Sequence, residues 1–115
     1  MFYTFTQNNS GGSFITDEAI AHYVIIEADS ADEANSIAES KGIYFNGCEI
    51  GEDCPCCGDR WYAQYDDKDG TDTVMIYSKD PSECDDMFAE VGDPYCYVYQ
   101  KDSVVRSYIK TEKGN

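Results

Sequence analysis

His22-Tyr23-Val24-Ile25-Ile26-Glu27-Ala28, followed by Ser30-Ala31-Asp32-Glu33-Ala34 and closed by Gly42, is the stretch that decides the fold. Its first part is β-branched and apolar, the composition of a central strand. Two residues later the pattern changes. Ser30 and Glu33 have the spacing of a capping box, in which each side chain satisfies the other's backbone amide. Ala34, Ile37 and Ala38 then recur at helical spacing, and Gly42 supplies a stop. A short helix is therefore expected to run through Ser40, with those three side chains turned inward. A strand that feeds a capped helix with one apolar face needs a sheet to bury that face against, which indicates an α+β domain.

Working outward, residues 2–7 alternate aromatic and polar side chains, as a half-buried strand does. Asn8-Asn9-Ser10-Gly11-Gly12 is a turn cluster, and residues 13–15 read as the returning arm of a hairpin. Residues 43–45, 61–65 and 73–78 read as further strands, the last two joined by the acidic turn Asp66-Asp67-Lys68-Asp69-Gly70-Thr71-Asp72. A second helix is signalled by Asp80 as cap and Pro81 at the first helical position. Cys84, Met87, Phe88 and Val91 would form its apolar stripe and Gly92 its stop. Residues 95–100 and 104–109 close the chain as a hairpin around Lys101-Asp102-Ser103. The expectation is a single α+β domain over residues 1–110, two short helices packed on a largely antiparallel sheet, with a frayed tail at 111–115.

Charge narrows the function. The 115 residues hold 8 Lys and Arg against 23 Asp and Glu, a formal net charge of −15. Such a chain has no basic footprint for a phosphate backbone, which excludes ordinary DNA or RNA binding. Docking on an anionic membrane fails for the same reason. A strongly acidic surface steers toward basic partners, and self-repulsion favours a monomer. No apolar run approaches the roughly 20 residues of a membrane span. The opening residues, Met1 to Thr6, do not read as a secretory leader. An intracellular, reducing location is therefore expected, where cysteines read as thiols or metal ligands and not as disulfides.

Four of the six cysteines crowd into one segment, Cys48, Cys54, Cys56 and Cys57. Cys54-Pro55-Cys56-Cys57-Gly58 matches the zinc-knuckle pattern Cys-Pro-x-Cys-Gly. Two thiolates at that spacing reach one tetrahedral ion, and the glycine permits the tight turn that aims amides at sulfur. Cys54 and Cys57 form the leading pair; Cys56, Cys48 and the lone histidine, His22, compete for the other two positions. Cys84 and Cys96 read as small core residues. A zinc here would be structural, a staple for a small core. A catalytic zinc needs an open position and a general base, and no His-Glu-x-x-His is present. The alternatives are a redox thiol or inert cysteines.

Other motifs fail on their own geometry. With Gly70 at the turn of a calcium loop, Tyr65 and Ile76 would occupy the first and last ligand positions, so that reading is excluded. The Asn-Asn-Ser-Gly-Gly cluster lacks the lysine and the following helix of a P-loop. A single histidine without a Ser or Cys partner makes no hydrolytic triad. The residues do not point to an enzyme.

Phe5-x-Gln7-Asn8-Asn9-Ser10-Gly11-Gly12-x-Phe14, Glu27-Ala28-Asp29-Ser30 with Glu33-Ala34, and Asp53-Cys54-x-Cys56-Cys57-Gly58-Asp59-Arg60-Trp61 together resemble a family of small phage-encoded proteins. The resemblance covers about residues 5–61, and its most specific part is Cys-x-Cys-Cys-Gly-Asp-Arg-Trp. Size, acidity and the zinc motif also resemble phage anti-CRISPR proteins aimed at type II-A nucleases. That resemblance implies a counter-defence protein in the host cytoplasm that binds a basic host nuclease and blocks DNA loading or cleavage. RNA-guided nucleases hold their duplex in a positively charged channel, which an acidic domain would fit. The carboxylates expected to engage it are Asp66, Asp67, Asp69 and Asp72 in the turn, with Asp85 and Asp86 on the second helix. Two rivals remain: a sponge for an immune nucleotide signal, with Arg60, Lys41 or Arg106 converging on a pocket, and a zinc-stabilised phage regulatory module.

Overall fold

The computed structural model describes residues 1–8, 16–53, 58–76, 80–83, 91–102 and 104–109. Four strands and a helix carry the fold: β1 (Phe2–Thr6), β2 (Tyr23–Glu27), α1 (Ala31–Ser40), β3 (Pro94–Tyr99) and β4 (Val105–Ile109), with 3₁₀ turns at Asp67–Asp69 and Pro81–Glu83. The sheet order is β1-β2-β3-β4. The outer pairs, β1 with β2 and β3 with β4, are antiparallel, whereas β2 and β3 run parallel. A parallel pair needs a long crossover, and the chain from α1 to Asp93 provides it.

Both faces of the sheet are covered. On one face Tyr3, Phe5, Val24, Ile26 and Tyr99 pack with Ala31, Ala34 and Ala38 of α1 and with Ile20, Ile43 and Trp61. On the other, Ile25, Cys96 and Val98 pack with Ile76 and Tyr95. Burial on both faces explains the unbroken run Val24-Ile25-Ile26, each fully buried. Tyr95 and its neighbour Cys96 share a face because the β3–β4 register shifts between Pro94 and Cys96. The bulge also lets the Tyr95 hydroxyl donate to the Pro81 carbonyl, 2.7 Å away, tying the second 3₁₀ turn to the sheet.

α1 forms where its signals lie. Ser30 Oγ accepts from the Glu33 amide at 3.1 Å. Glu33 reaches past the reciprocal partner and accepts from the Asp29 amide instead, at 2.8 Å. At the other end the Ile43 amide returns to the Ala38 carbonyl and the Gly42 amide to Glu39, with Gly42 at φ +108°. This Schellman closure requires a left-handed residue at that position.

Several expectations need correction. The sheet is largely antiparallel as expected, but its central pairing is parallel, which makes it mixed, and one α-helix is present among the described residues. The second helix begins where expected, at Pro81, but as a 3₁₀ turn; residues 84–90 lie outside the described residues, as does the proposed hairpin arm at 13–15. Residues 43–45 form no strand, because the Ile43 amide is committed to the end of α1 while Phe45 stacks on Phe5 at 6.0 Å. Residues 61–65 form none either. The Gln64 amide donates to Asn35 Oδ1 and its carbonyl accepts from Asn35 Nδ2, both at 2.8 Å, so a helix side chain takes the place of a ladder. In 73–76 the Met75 carbonyl accepts from the Thr4 hydroxyl at 2.7 Å, and no named strand forms.

Candidate functional site

The base of the cysteine loop is a clasp of polar contacts. Asn46 takes a left-handed turn at φ 58°, and the Glu52 and Asp53 amides fold back to the Gly47 carbonyl. This brings the Asp53 carboxylate between Tyr44 and Arg60. Its Oδ1 accepts from the Tyr44 hydroxyl at 2.8 Å, and its Oδ2 accepts from the Arg60 amide at 2.8 Å. A Cβ on Gly47 would stand 1.8 Å from Asp53 Oδ2, so only glycine leaves the clasp its space. Burial and the bond to Asp53 push the Tyr44 hydroxyl above its ordinary value, opposed by Arg60.

The two ends of the loop are also joined directly. The Cys48 amide donates to Asp59 Oδ1 at 2.9 Å. Asn8 donates its side chain to the Asp59 carbonyl and its amide to the Arg60 carbonyl, fixing the loop exit to the end of β1. The Arg60 guanidinium donates to Gln7 Oε1 at 3.0 Å, and Gln7 Nε2 donates to the Ala21 carbonyl. His22 is buried next to this point, its carbonyl accepting from the Gln7 amide. Cys48, half-buried, thus sits at the root of the loop, whereas Cys54, Cys56 and Cys57 lie outside the described residues. Neither Cys48 nor Cys96 is in a disulfide. Among the described residues no three His, Cys, Asp or Glu side chains gather as a metal site.

The acidic turn is docked on the core. Asp67 Oδ1 accepts from the Ala31 amide at 2.8 Å, satisfying a first-turn donor of α1. The Asp67 carbonyl accepts from the Tyr3 hydroxyl at 3.0 Å. Asp66 caps the 3₁₀ turn by accepting from the Lys68 amide at 2.9 Å. Gly70 lies flat on Tyr3: a Cβ there would meet Tyr3 Cζ at 2.8 Å and Met1 Cβ at 2.9 Å. Burial, then Asp67, Asp69, Asp66 and Asp29, raise the Tyr3 hydroxyl above its ordinary value, so four carboxylates are felt at one point. Asp69 and Asp72 are exposed. Of the turn's carboxylates, then, Asp67 and Asp66 hold structure, while Asp69 and Asp72 face solvent. Asp85 and Asp86 lie outside the described residues.

The cations expected to converge do not meet. Lys41 lines a groove of about 530 Å³ with Ile26, Glu33, Tyr99 and Lys101, its ammonium 4.5 Å from the Tyr99 ring centre. Arg106 lines a separate groove of about 450 Å³ with Phe2, Asp72 and Asp80. Arg60 is held in the clasp. Lys101 is paired with Asp29, whose carboxyl the contact holds below its ordinary value.

A family model for a domain of unknown function, DUF7296, matches residues 1–114. The chain belongs to the DUF7296 family. No curated protein and no solved structure matches it.

In this DUF7296 chain the contacts that the sequence did not indicate are those of the clasp and the pairing of Asp29 with Lys101. Arg60 carried a signal, being one of only 8 cations and adjacent to the cysteines. Asp53 and Asp29 stand in the motifs quoted above, but as two carboxylates among 23 Asp and Glu neither was marked for a particular contact. No helix among the described residues is long and apolar enough to cross a membrane.

Proposed function

We propose that this chain is a non-enzymatic binding protein whose acidic face docks on a basic protein surface. The observation that supports this reading most is the cluster of Asp29, Asp66, Asp67 and Asp69 around Tyr3. Asp67 bonds the start of α1, and Gly70 packs against the Tyr3 ring. A charged surface held this way needs little ordering on association, which lowers the cost of binding. Asp69 and Asp72 would make the contacts, with Asp32 in the first turn of α1 extending the face. Asp85 and Asp86 remain candidates for the same partner. The resemblance to phage anti-CRISPR proteins points to a type II-A CRISPR nuclease in the host cytoplasm as that partner, blocked at DNA loading or cleavage. A cleavage assay with purified nuclease and guide tests it. Saturating protein should abolish cleavage, and Asp69→Asn with Asp72→Asn should restore part of it. Unaltered cleavage contradicts this choice of partner.

The cysteine loop would hold a structural zinc, with Cys54, Cys57 and Cys48 as ligands and Cys56 or His22 completing the set. Support comes from the clasp, which holds Cys48 to the loop exit through Asp59 and so limits the closure that metal binding must impose. Bound zinc would supply folding free energy and no chemistry. Elemental analysis of protein produced with zinc should find one ion per chain, lost in Cys54→Ser with Cys57→Ser. Zinc-free native protein contradicts it.

A further inference from the structure

The two edges of the sheet differ. The outer edge of β1 is covered along its length: Phe2 and Thr71 exchange amide bonds at 2.8 Å, Gln64 Nε2 donates to the Thr4 carbonyl, and Asn8 donates to Arg60. The outer edge of β4 is paired with no described segment. Val105 and Ile109 on this strand are 54% and 50% exposed, an unusual state for apolar side chains on an open edge.

The hydrogen-bond phase of β4 is fixed. The Gln100 amide donates to the Val104 carbonyl at 3.0 Å, which makes that pair a bonded one. In an antiparallel ladder bonded and non-bonded pairs alternate, so Arg106 and Tyr108 turn their backbone groups inward toward β3. Val105, Ser107 and Ile109 turn theirs outward. From these observations we infer that β4 pairs with β4 of a second copy, antiparallel about a two-fold axis at Ser107, to form a continuous eight-stranded sheet.

The register follows from the phase. Ser107 would face its own counterpart, Val105 would face Ile109, and every outward amide and carbonyl of the strand would find a partner. The side chains agree with that arrangement. Val105 and Ile109 lie on the face of α1, each exposed in one chain and each covered by the other in the pair. Arg106 and Tyr108 lie on the opposite face, where Arg106 already rests 5.7 Å from the Tyr108 ring within one chain. Across the axis each Arg106 would stand over the second Tyr108.

Charge points the same way. Residues 104–110 hold Arg106 and Lys110 and no Asp or Glu, in a chain with 23 acidic residues. Thr71 pairs with Phe2 outside β1, four strand spacings or about 19 Å from β4, whereas Asp72 and Asp80 line the groove that Arg106 enters from β4. Pairing through β4 therefore leaves the turn at Thr71 at the far edge of each sheet, with Arg106 set between Asp72 and Asp80 and the axis. The dimer departs from the monomer that net charge alone predicts, and it stands whether or not the acidic face finds a basic partner.

Sedimentation equilibrium of the full chain tests it. Wild type should weigh twice the 12.9 kDa chain mass, and its association should tighten from about 0.1 M to about 1 M salt as repulsion is screened. Ser107→Pro removes an amide that the native ladder does not use, and should return the mass to one chain with unchanged circular dichroism. If that variant unfolds, Val105→Lys with Ile109→Lys decides, since it sets like charges opposite each other across the axis while leaving the core alone. A wild-type monomer, or a dimer that persists in a folded variant, overturns the inference.

Discussion

Asp67 shows how one carboxylate among many acquires a position. Its side chain satisfies an amide at the start of α1 and its carbonyl holds the Tyr3 hydroxyl, so it joins helix, turn and strand. Asp67→Ala should lower stability by about 1–3 kcal/mol, the cost of leaving a helix donor without its partner. Asp69→Asn should leave stability within about 0.5 kcal/mol, as exposed substitutions do. Urea unfolding of the two variants checks the contrast; equal losses would mean that Asp67 carries no structural role. None of this was legible in the sequence, where Asp66, Asp67, Asp69 and Asp72 read alike. Charge density can be counted from composition, but the division of labour within it depends on Tyr3 and Ala31, both distant in the chain.

At the scale of elements, local signals were legible and distant ones were not. The strand at Tyr23–Glu27 and the helix at Ala31–Ser40 follow from runs, caps and a C-terminal glycine that act within a few residues. The parallel pairing of β2 with β3 leaves no such mark, because a strand buried on both faces shows the same apolar run in either direction. Residues 61–65 are aromatic enough for a strand, yet Asn35 on α1 takes up both backbone groups of Gln64. Asn35→Ala should therefore remove protection of the Gln64 amide in hydrogen exchange and cost about 1–3 kcal/mol. A Gln64 amide that stays protected would contradict the account of why that strand is missing. The clasp at the base of the loop was equally hidden: the motif contains Asp53 and Arg60, but that both meet Tyr44 follows only from the fold.

For the whole molecule, titration should reveal how the parts depend on one another. Burial first, then nearby acidic groups, raises Tyr3 and Tyr99 above the ordinary 10.0, and burial raises Tyr44 likewise. A raised folded value means stability that is complete below 10.0 and lost as pH climbs through the higher folded values. Asp29 and Asp80 shift the other way, held below the ordinary 3.8 by Lys101 and by Ser82 respectively, so their contribution is present above 3.8 and fades as pH falls through the lower folded values. These groups should lower the melting temperature at both extremes of pH, with Tyr99→Phe flattening the alkaline side. An alkaline limb unchanged by that substitution would remove Tyr99 from the explanation. Net charge was legible from the start, as was the class of partner it excludes; which carboxylates come to stand beside Arg106 of β4, Asp72 and Asp80, required the fold.

The central claim is that the acidic face recognises a basic protein, and affinity as a function of salt tests it most directly. Binding of the chain to a purified type II-A nuclease would be titrated at low and high salt, for wild type and for Asp66→Asn, Asp69→Asn and Asp72→Asn combined. Asn keeps the cap at position 66, so the variant should remain folded. Wild type should bind and weaken steeply with salt, and the variant should bind about tenfold more weakly or worse at low salt, a loss of about 1.4 kcal/mol or more. No binding at all would overturn this choice of partner, and binding that ignores both salt and the three substitutions would contradict the claim.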